Sequence, residues 1–282
     1  MVKFLFFLLL SHALFAQTRF AICVCSYNNA PYVAWNLESL LSQDYDQELF
    51  HIYYINDMST DETLEKAKEY VRQQGKEHLV TFIDNTFKRY QLGNYYHCIH
   101  DFIEDDAVVV TVDGDDALAH SQVLSYLDNI YSEDEIYLTY GEYIRKNEGR
   151  LGHDAPMTEE ISKRHSFRKS CDVLSHLRTF YAWLFKKIRK EDLLYEGQFV
   201  RIAGDIAMMF PMIEMANGHF RFITDVLYIY NDNNPLSDTM LARQGQIKMG
   251  QYFRHLRPYK PLDPVVAHQI RPYITRKLIE VE

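Results

Sequence analysis

The run AVVVTVDGDDAL at residues 107–118 limits the possible fold more than any other stretch of the sequence. Five β-branched residues at 108–112 lead directly into the acidic sequence DGDD at 113–116. A continuous apolar run of this kind is typical of a strand that is buried on both faces. The chain must therefore form a core strand that delivers three carboxylates to its carboxyl end.

The three acids of this run need a compensating partner, because neighbouring carboxylates repel one another unless a cation, protons or hydrogen-bond donors offset their charge. Hard oxygen ligands on a short turn suit Mg²⁺ or Mn²⁺. Gly114, between the acids, lets the backbone turn freely and lets a bulky ligand approach closely. The alternative is an ordinary polar loop after a strand, since Asp and Gly are common in turns. We favour the metal site because the strand before the acids is so uniformly apolar.

The composition of the 282 residues indicates a globular chain with a full core, formed by one large domain or by two closely joined lobes. The formal net charge of -9 speaks against a nucleic-acid partner, or an anionic membrane, held by bulk charge. The four cysteines form no CxxC pair, and Cys23 and Cys25 alternate along one expected strand. We therefore expect buried free thiols rather than disulfides or zinc ligands.

The first sixteen residues have the pattern of a secretory signal peptide. Lys3 precedes the apolar run FLFFLLL, and small residues follow at Ala13 and Ala16. The run is shorter than the stretch of about 20 apolar residues that a spanning helix needs, so we expect no stable transmembrane span. We favour cleavage and export through the secretory pathway. The alternative is a cytoplasmic, membrane-associated protein that retains this segment.

Strands and helices alternate along the first half of the chain, which predicts an α/β fold with a mostly parallel sheet and helices on both faces. The expected strands cover residues 19–26, 50–56, 79–83, 108–112 and 136–140, and the expected helices cover residues 31–42, 60–74, 95–103 and 122–131. Ligands of such sheets lie beyond the carboxyl ends of the strands. The polar sequences SYNN, NDMSTD and DGDD follow the first, second and fourth strands, so we expect the site there.

The second half of the sequence is less regular. Residues 145–169 are polar and without period, which predicts a loop or lid over the site, or alternatively an ordinary solvated excursion. A helix opens at Asp205, a residue type that suits the N-cap, and a late strand covers residues 222–230. Basic and apolar residues predict a tail helix at 261–282.

Three motifs, in their order and spacing, resemble a known family. The sequences AICVCSYNNAPYVAWNLESLLSQDY, IYYINDMSTDETLEKAKEY and VVVTVDGDDALAH closely resemble the nucleotide-binding half of the inverting family 2 glycosyltransferases of GT-A fold. The later sequence resembles the acceptor half of that family more loosely. The resemblance implies a GT-A-type mixed, mostly parallel sheet flanked by helices. It also implies one domain at 17–260, with a nucleotide-sugar-binding half at 17–144 and an acceptor half at 145–260.

The resemblance implies roles for individual residues. Asp115 and Asp116 are the expected ligands of Mn²⁺ or Mg²⁺, and Asp205 matches the position of the family's catalytic base. His176 and Arg178 are candidates for holding the diphosphate or the acceptor, unless they pair within the fold. The expected donor-binding residues are Cys25, Ser26, Tyr27, Asn28, Asp57, Arg89, Asp113 and Asp115.

Two departures from the family pattern concern the nucleotide and the metal. The family usually has two aspartates after the second strand, and this chain has Asn56 and Asp57. The second of these contacts the nucleotide base in the family, so we expect uracil recognition to survive. Many GT-A enzymes offer a late histidine to the metal, where this chain has YIYNDNNP. Asn231 or Asn233 is a candidate substitute; otherwise the diphosphate and water complete the metal site.

The implied reaction moves a sugar, with inversion, from a nucleotide diphosphate sugar to an acceptor hydroxyl on a glycan, a protein or a lipid. The donor that we expect is a UDP-sugar. If Asp205 is not the base, Glu214 or Asp225 is the next candidate. One alternative is a non-catalytic nucleotide or glycan binder on the same fold. A phosphatase of the haloacid dehalogenase type is less favoured, because such enzymes carry the DxD motif on their first strand.

Overall fold

One eight-stranded sheet forms the centre of the fold. The computed structural model describes residues 17–132, 135–152, 155–170, 174–236 and 243–262. The described strands are β1 (Phe20–Ser26), β2 (Phe50–Asn56), β3 (Val80–Asp84), β4 (Val108–Asp113), β5 (Ala117–Leu118), β6 (Leu138–Arg145), β7 (Arg178–Tyr181), β8 (Leu194–Tyr195), β9 (Gln198–Phe199) and β10 (Phe220–Tyr230). The order in the large sheet is β3-β2-β1-β4-β7-β6-β10-β5, and β8 and β9 pair separately.

The sheet is mostly parallel, which confirms the predicted fold class. β1 pairs in parallel with β2 and β4, β2 with β3, and β6 with β10. β7 is antiparallel to both of its neighbours, and β5 is antiparallel to β10. The carboxyl ends of β1, β2 and β4 meet at one edge, where the backbone N–H of Asp57 donates to Ser26 O and that of Gly114 donates to Cys25 O, both over 2.9 Å.

Helices cover both faces of the sheet. The described helices are α1 (Val33–Leu41), α2 (Thr63–Gln73), α3 (Tyr90–Phe102), α4 (Val123–Ser132), α5 (Glu159–Lys163), α6 (Phe167–Ser170), α7 (Ala182–Lys186), α8 (Gly204–Ala216) and α9 (Arg243–His255). None of these combines the length and the apolar sequence that crossing a membrane requires.

Successive residues of the central strands point into two separate cores, as a period of two dictates. Ile22 and Val110 face the core formed with α1, α2 and α4. Cys23 and Val109 face the other core, formed with α3, α7, α8 and α9. The four valines of β4 are fully buried, as the apolar run predicted. The acidic sequence therefore follows a strand whose position is fixed from both sides.

Several predicted helix boundaries were wrong. α2 begins at Thr63 rather than at residue 60, because the Asp61 carboxylate accepts a hydrogen bond from the Thr63 backbone N–H. Ser59 and Thr60, at the predicted start of this helix, instead contact Asn28 after β1. α3 begins at Tyr90, five residues earlier than predicted, because its first N–H group donates to Asp57, a distant residue.

The predicted loop at 145–169 contains two short helices. Thr158 caps α5, since its side chain accepts from the Ile161 N–H, and the buried Arg168 in α6 holds that helix onto the body of the protein. The sequence pattern also missed β7 and α9. The predicted signal segment lies outside the described residues, as do Cys171 and all but the first two residues of the predicted tail helix. The predicted boundary between halves, at residue 144, falls within β6.

Candidate active site

The acidic turn after β4 is held rigidly by its neighbours. The backbone N–H of Asp116 donates to Asp113 O over 3.0 Å. The buried side-chain amide of Asn36, in α1, donates to the backbone carbonyl oxygens of both residues, over 3.0 Å to Asp113 O and 2.8 Å to Asp116 O. Both ends of the acidic turn are thereby held by backbone contacts within the protein, which do not use the carboxylates.

Gly114 has a packing role in this turn. A Cβ atom at this position would lie 2.5 Å from Ser26 Oγ and 2.8 Å from Asn29 Nδ2. These distances are shorter than van der Waals contact, so a side chain does not fit between β4 and the end of β1. The glycine is required by the close approach of two protein segments, a role additional to the free turning and the ligand approach that we had expected.

Asp116 is the most deeply buried of the three acids, with 1% of its surface exposed. Its Oδ1 accepts the backbone N–H of Asn231 over 2.7 Å, and its Oδ2 accepts the Tyr228 hydroxyl over 2.8 Å. Burial, and then the charges of Asp115 and Asp113, raise its pKa well above the usual value. The late strand β10 thus reaches the acids through Tyr228 and the Asn231 backbone.

Asp115 is held by a side chain that the sequence analysis did not select. Asn234 Nδ2 donates to Asp115 Oδ2 over 2.6 Å and lies 3.4 Å from Asn29 Oδ1. Burial and the Asp113 charge raise the pKa of Asp115 to about 6. The run of Asn and Asp after β10 was the signal for this contact, but we had considered only Asn231 and Asn233.

Asp113 points toward the second half of the chain. Its Oδ2 lies 3.7 Å from His176 Nε2, and its Oδ1 accepts from the Gln91 side chain. Burial raises the pKa of Asp113, but His176, Arg178 and Gln91 outweigh this effect, so the pKa lies below its usual value. The pKa of His176 is lowered, first by burial and then by Arg178. An ionised carboxylate therefore faces a neutral imidazole.

The arrangement suits a divalent cation. One ligand atom each from Asp113, Asp116 and His176 lies within 4.8 Å of the others. The His176 ring stacks on Tyr228, with centroids 4.6 Å apart, and its buried Nδ1 atom has no hydrogen-bond partner among the described residues. Two carboxylates with an excess of negative charge and a neutral imidazole fit Mn²⁺ better than Mg²⁺, which prefers oxygen ligands. We had expected the pair Asp115 and Asp116, without His176.

Asp57 is buried at the edge of the site, with 4% of its surface exposed. Its Oδ1 accepts the Arg89 backbone N–H and the Asn85 side-chain amide, each over 2.9 Å, and its Oδ2 accepts the Tyr90 N–H over 3.0 Å. Lys88 Nζ lies 3.8 Å from Oδ2. Asp57 thus fixes the start of α3, and one acceptor position on Oδ2 faces Lys88.

The other expected donor-binding residues lie around Asp57 and the end of β1. Tyr27 is 40% exposed, and Lys88 Nζ lies over its ring. Asn28 has a positive φ of 53° and joins the β1 loop to the loop after β2. The Arg89 guanidinium lies over the Phe87 ring, 4.7 Å from its centroid. Tyr27 and Phe87 are thus exposed aromatic rings on the surface beside Asp57.

Ser26 and Cys25 are less accessible than that surface. Ser26 is 1% exposed, and its hydroxyl accepts from Tyr54 over 3.0 Å. The Cys25 thiol lies 3.9 Å from Gln91 O, and burial raises its pKa. The Ser26 side chain is therefore part of the protein interior, whereas Cys25 is half-buried.

Asp205 lies in the first turn of α8, where we had expected the N-cap. The cap is Ala203, with a left-handed φ of 59°, and it makes no side-chain hydrogen bond. Asp205 Oδ1 accepts the Ile206 backbone N–H over 2.8 Å, and Oδ2 accepts from Arg178 Nη2 over 3.2 Å. A quarter of the Asp205 side chain is exposed. The carboxylate is thus fixed and still accessible.

The two reserve candidates for a base lie elsewhere. Glu214 is fully buried and forms a bidentate ion pair with Arg168, over 2.7 and 2.9 Å. Asp225, which is exposed in β10, accepts from the Tyr126 hydroxyl over 2.6 Å. Neither contacts the acids after β4.

Comparison with known proteins identifies the family. Residues 21–193, more than half of the chain, match the family described as Glycosyl transferase family 2. The chain belongs to this family. No curated protein gives a significant match to this chain.

Solved structures with the same architecture confirm the GT-A fold of this family 2 chain. TarS of S. aureus, as residues 1–349 in complex with UDP-GlcNAc, aligns with a TM-score of 0.60 at 17% identity, over 80% of this chain and 61% of that chain. The mannosyltransferase PcManGT from Pyrobaculum calidifontis, in complex with GDP-Man and Mn²⁺, aligns with a TM-score of 0.58 at 16% identity, over 86% of this chain and 66% of that one.

A third structure is glucosyl-3-phosphoglycerate synthase from Mycobacterium tuberculosis, in complex with Mn²⁺, UDP and phosphoglyceric acid. It aligns with a TM-score of 0.56 at 10% identity, over 86% of this chain and 80% of that chain. The family 2 chain spans less than two thirds of the TarS chains in the first alignments, 37% of one and 61% of another. At these identities the alignments establish the fold.

Proposed function

We propose that this family 2 chain transfers a sugar from a nucleotide diphosphate sugar to an acceptor hydroxyl, with inversion and with a divalent metal. The observation that carries the proposal is that the site has two separate acidic groups. The acids after β4 form a cation site, while Asp205 is held separately and stays partly exposed. The cation site suits a departing diphosphate, and the Asp205 carboxylate suits a general base.

A divalent cation, when bound, neutralises the charge that grows on the departing diphosphate. Asp113, Asp116 and His176 are the residues placed to hold it. Asp115 lies beside them and is oriented by Asn234. Burial, and then the charges of the neighbouring carboxylates, raise the pKa values of Asp115 and Asp116, and this direction supports a site that gains from a bound cation. Mn²⁺ is the ion that we propose, with Mg²⁺ as its substitute.

Asp205 accepts the proton of the attacking hydroxyl in this proposal. A single positioned carboxylate on the side opposite to the leaving group gives inversion at the anomeric carbon. Its two oxygens are oriented by Ile206 and Arg178, so little motion is needed before reaction. The acceptor is a hydroxyl on a glycan, a protein or a lipid.

UDP is the nucleotide that we propose for the donor. Asp57 Oδ2 keeps one acceptor position, which a ring N–H of uracil can occupy when Lys88 moves away from it. Tyr27, exposed beside Lys88, offers a ring for stacking. A site of this kind discriminates strongly against a base that lacks the N–H group.

The test is a panel of UDP-glucose, UDP-GlcNAc and GDP-mannose, with release of the nucleoside diphosphate measured with Mn²⁺ and with EDTA. In calorimetry CDP, whose cytosine lacks the ring N–H, should bind more weakly than UDP. We expect metal-dependent release from one UDP-sugar. Asp116→Asn should abolish it. Binding of UDP without any turnover would point to the non-catalytic binder instead, and release of phosphate from a phosphomonoester would point to a phosphatase.

We also retain export as a proposal for the location of the protein. Nucleotide sugars are made in the cytosol or carried into the secretory lumen, so an exported transferase needs such a lumen. Mass spectrometry of the purified protein should find a mature chain that begins near Gln17. A soluble cytoplasmic protein that retains Met1–Ala16 would contradict this expectation.

A further inference from the structure

One short segment of the chain contacts both acidic groups of the site. His176 Nε2 lies 3.7 Å from Asp113 Oδ2, and two residues later Arg178 Nη2 lies 3.2 Å from Asp205 Oδ2. The same segment therefore contacts the cation site through His176 and the proposed base through Arg178. The sequence had suggested that Arg178 holds the diphosphate or the acceptor, or else pairs within the fold.

The Arg178 side chain has little freedom. It is 6% exposed as a residue, and its Nε donates to Leu174 O over 2.7 Å. Its backbone pairs with Thr111 of β4, whose hydroxyl donates to Arg178 O over 3.2 Å. The guanidinium direction is thus set by the central sheet, close to the strand that carries the acids.

Asp205 depends on this guanidinium for one of its two hydrogen bonds. Its Oδ1 is held by the N–H of the next residue, Ile206, which moves with the same helix turn. Arg178 is the contact that ties Oδ2 to the sheet. Without it, the carboxylate can rotate about its side-chain bonds while keeping the local N–H contact. A base that is misplaced by about 1 Å can lose about 10²-fold in rate.

We propose that Arg178 is a positioning residue for the base, acting on Asp205 rather than on the diphosphate. This inference rests on the proposed function, since Asp205 must be the base for its orientation to matter. The low exposure of Arg178 and its two engaged nitrogens favour this role over direct donor binding.

The first experiment compares Arg178→Met and Arg178→Lys with Arg189→Met. Arg189 also forms an ion pair with an aspartate, Asp192, but on the exposed surface. With the nucleotide sugar that the panel identifies, Arg178→Met should lower kcat by about 10- to 10²-fold, and Arg178→Lys should restore part of it. The calorimetric Kd for UDP with Mn²⁺ should stay within about twofold, and the control should match the wild type.

The second experiment repeats the substitution in an Asp205→Asn background. If Arg178 acts through Asp205, Arg178→Met should cause no further loss of kcat there, because residues that act as a unit are non-additive. The same fold loss in both backgrounds would overturn the inference. So would a weaker UDP affinity with kcat retained, because that pattern marks a donor contact.

These outcomes separate the inference from the proposed function. Near wild-type transfer by Asp205→Asn removes Asp205 as the base and overturns the inference, while the proposed transfer of a sugar stands. An inactive Asp205→Asn beside a fully active Arg178→Met overturns the inference alone. A crystal structure of Arg178→Met, or of Arg178→Lys if the methionine variant does not fold, tests the inference without measuring activity. We expect the Asp205 carboxylate to leave its present orientation in the methionine variant and to keep it in the lysine variant. An unchanged carboxylate in the methionine variant, or a displaced one in the lysine variant, would count against a positioning role.

Discussion

At the scale of single residues, the site concentrates negative charge that the protein alone does not offset. Asp113 keeps a low pKa because His176 and Arg178 face it, whereas the pKa values of Asp115 and Asp116 are raised. The metal-free protein therefore carries an electrostatic cost at neutral pH. Binding of a cation or of protons relieves that cost.

This cost predicts the pH dependence of stability in EDTA. The folded pKa of Asp115, about 6, lies above the usual 3.8. Protonated Asp115 thus favours the folded state below pH 3.8, and this contribution is lost as the pH rises through about 6. Asp115→Asn should remove it, so at pH 7 the variant should be more stable than the wild type by up to about 3 kcal/mol. Urea denaturation between pH 4 and 7 measures this, and parallel curves would refute it.

Gly114 allows a second prediction at this scale. In Gly114→Ala the new Cβ meets Ser26 at 2.5 Å, so the free energy of unfolding should fall by about 1–3 kcal/mol. Gly250→Ala, within helix α9, is the matched control. Its Cβ would meet Ile206 Cδ1 at 3.4 Å, an ordinary van der Waals distance. That control should gain up to about 1 kcal/mol from helix propensity. Equal unfolding midpoints in urea for the two variants would show that the close approach carries no energy.

The sequence allowed the acids to be predicted but not their partners. Asp113 and its neighbours follow a buried strand directly, so their place at the carboxyl edge is a local property. Their partners come from distant positions: Tyr228 is 112 residues from Asp116, and Asn234 is 119 residues from Asp115. Such contacts depend on strand order, which no local pattern records.

At the scale of elements, a buried ion pair joins the helices of the second half. Arg168 in α6 donates to both carboxylate oxygens of Glu214 in α8, and Arg168 also donates to Phe253 O in α9. Glu214 further accepts the Tyr259 N–H over 2.9 Å. The ion pair between Arg168 and Glu214 thus connects α6, α8 and α9.

Removing one partner leaves a buried charge without compensation. Arg168→Met should therefore lower the free energy of unfolding by about 3–5 kcal/mol. The comparison is Lys163→Met, whose pair with Glu159 is 71% and 81% exposed and should cost less than about 1 kcal/mol. Denaturation in urea gives both values. A small loss in Arg168→Met would mean that Glu214 finds other donors.

The element boundaries show why local signals fail where tertiary contacts take over. The parallel strands β1, β2 and β4 were predicted within a residue or two, because apolar runs bounded by polar residues define them. α3 begins early because Asp57, 33 residues before Tyr90, accepts its first N–H. The four-residue strand β7 was not recognised, since it has no period of its own and is stabilised by pairing on both sides.

At the scale of the whole molecule, the proposed function couples metal binding to nucleotide binding. This coupling should be visible in the thermal stability of the protein. UDP carries charge that the acids repel until a cation is bound, so each ligand should strengthen the other. Mn²⁺ and UDP together should raise Tm by more than the sum of their separate effects, and a ligand at 100 times its Kd adds about 2.7 kcal/mol. Thermal unfolding with Mn²⁺, UDP, both or neither tests this. Additive shifts would contradict the coupling, and Asp116→Asn should show no synergy.

The place of β7 has a consequence for how this protein can be made. β4, with four buried valines, has β1 on one side and β7 on the other. β7 is synthesised some 65 residues after the end of β4, and β6 joins the sheet only through it and β10. Until then the valine strand has an open edge that can pair with any extended chain. A nucleotide-binding half expressed alone would keep that edge permanently, so we expect it to aggregate, and the newly made full chain needs protection until its second half emerges.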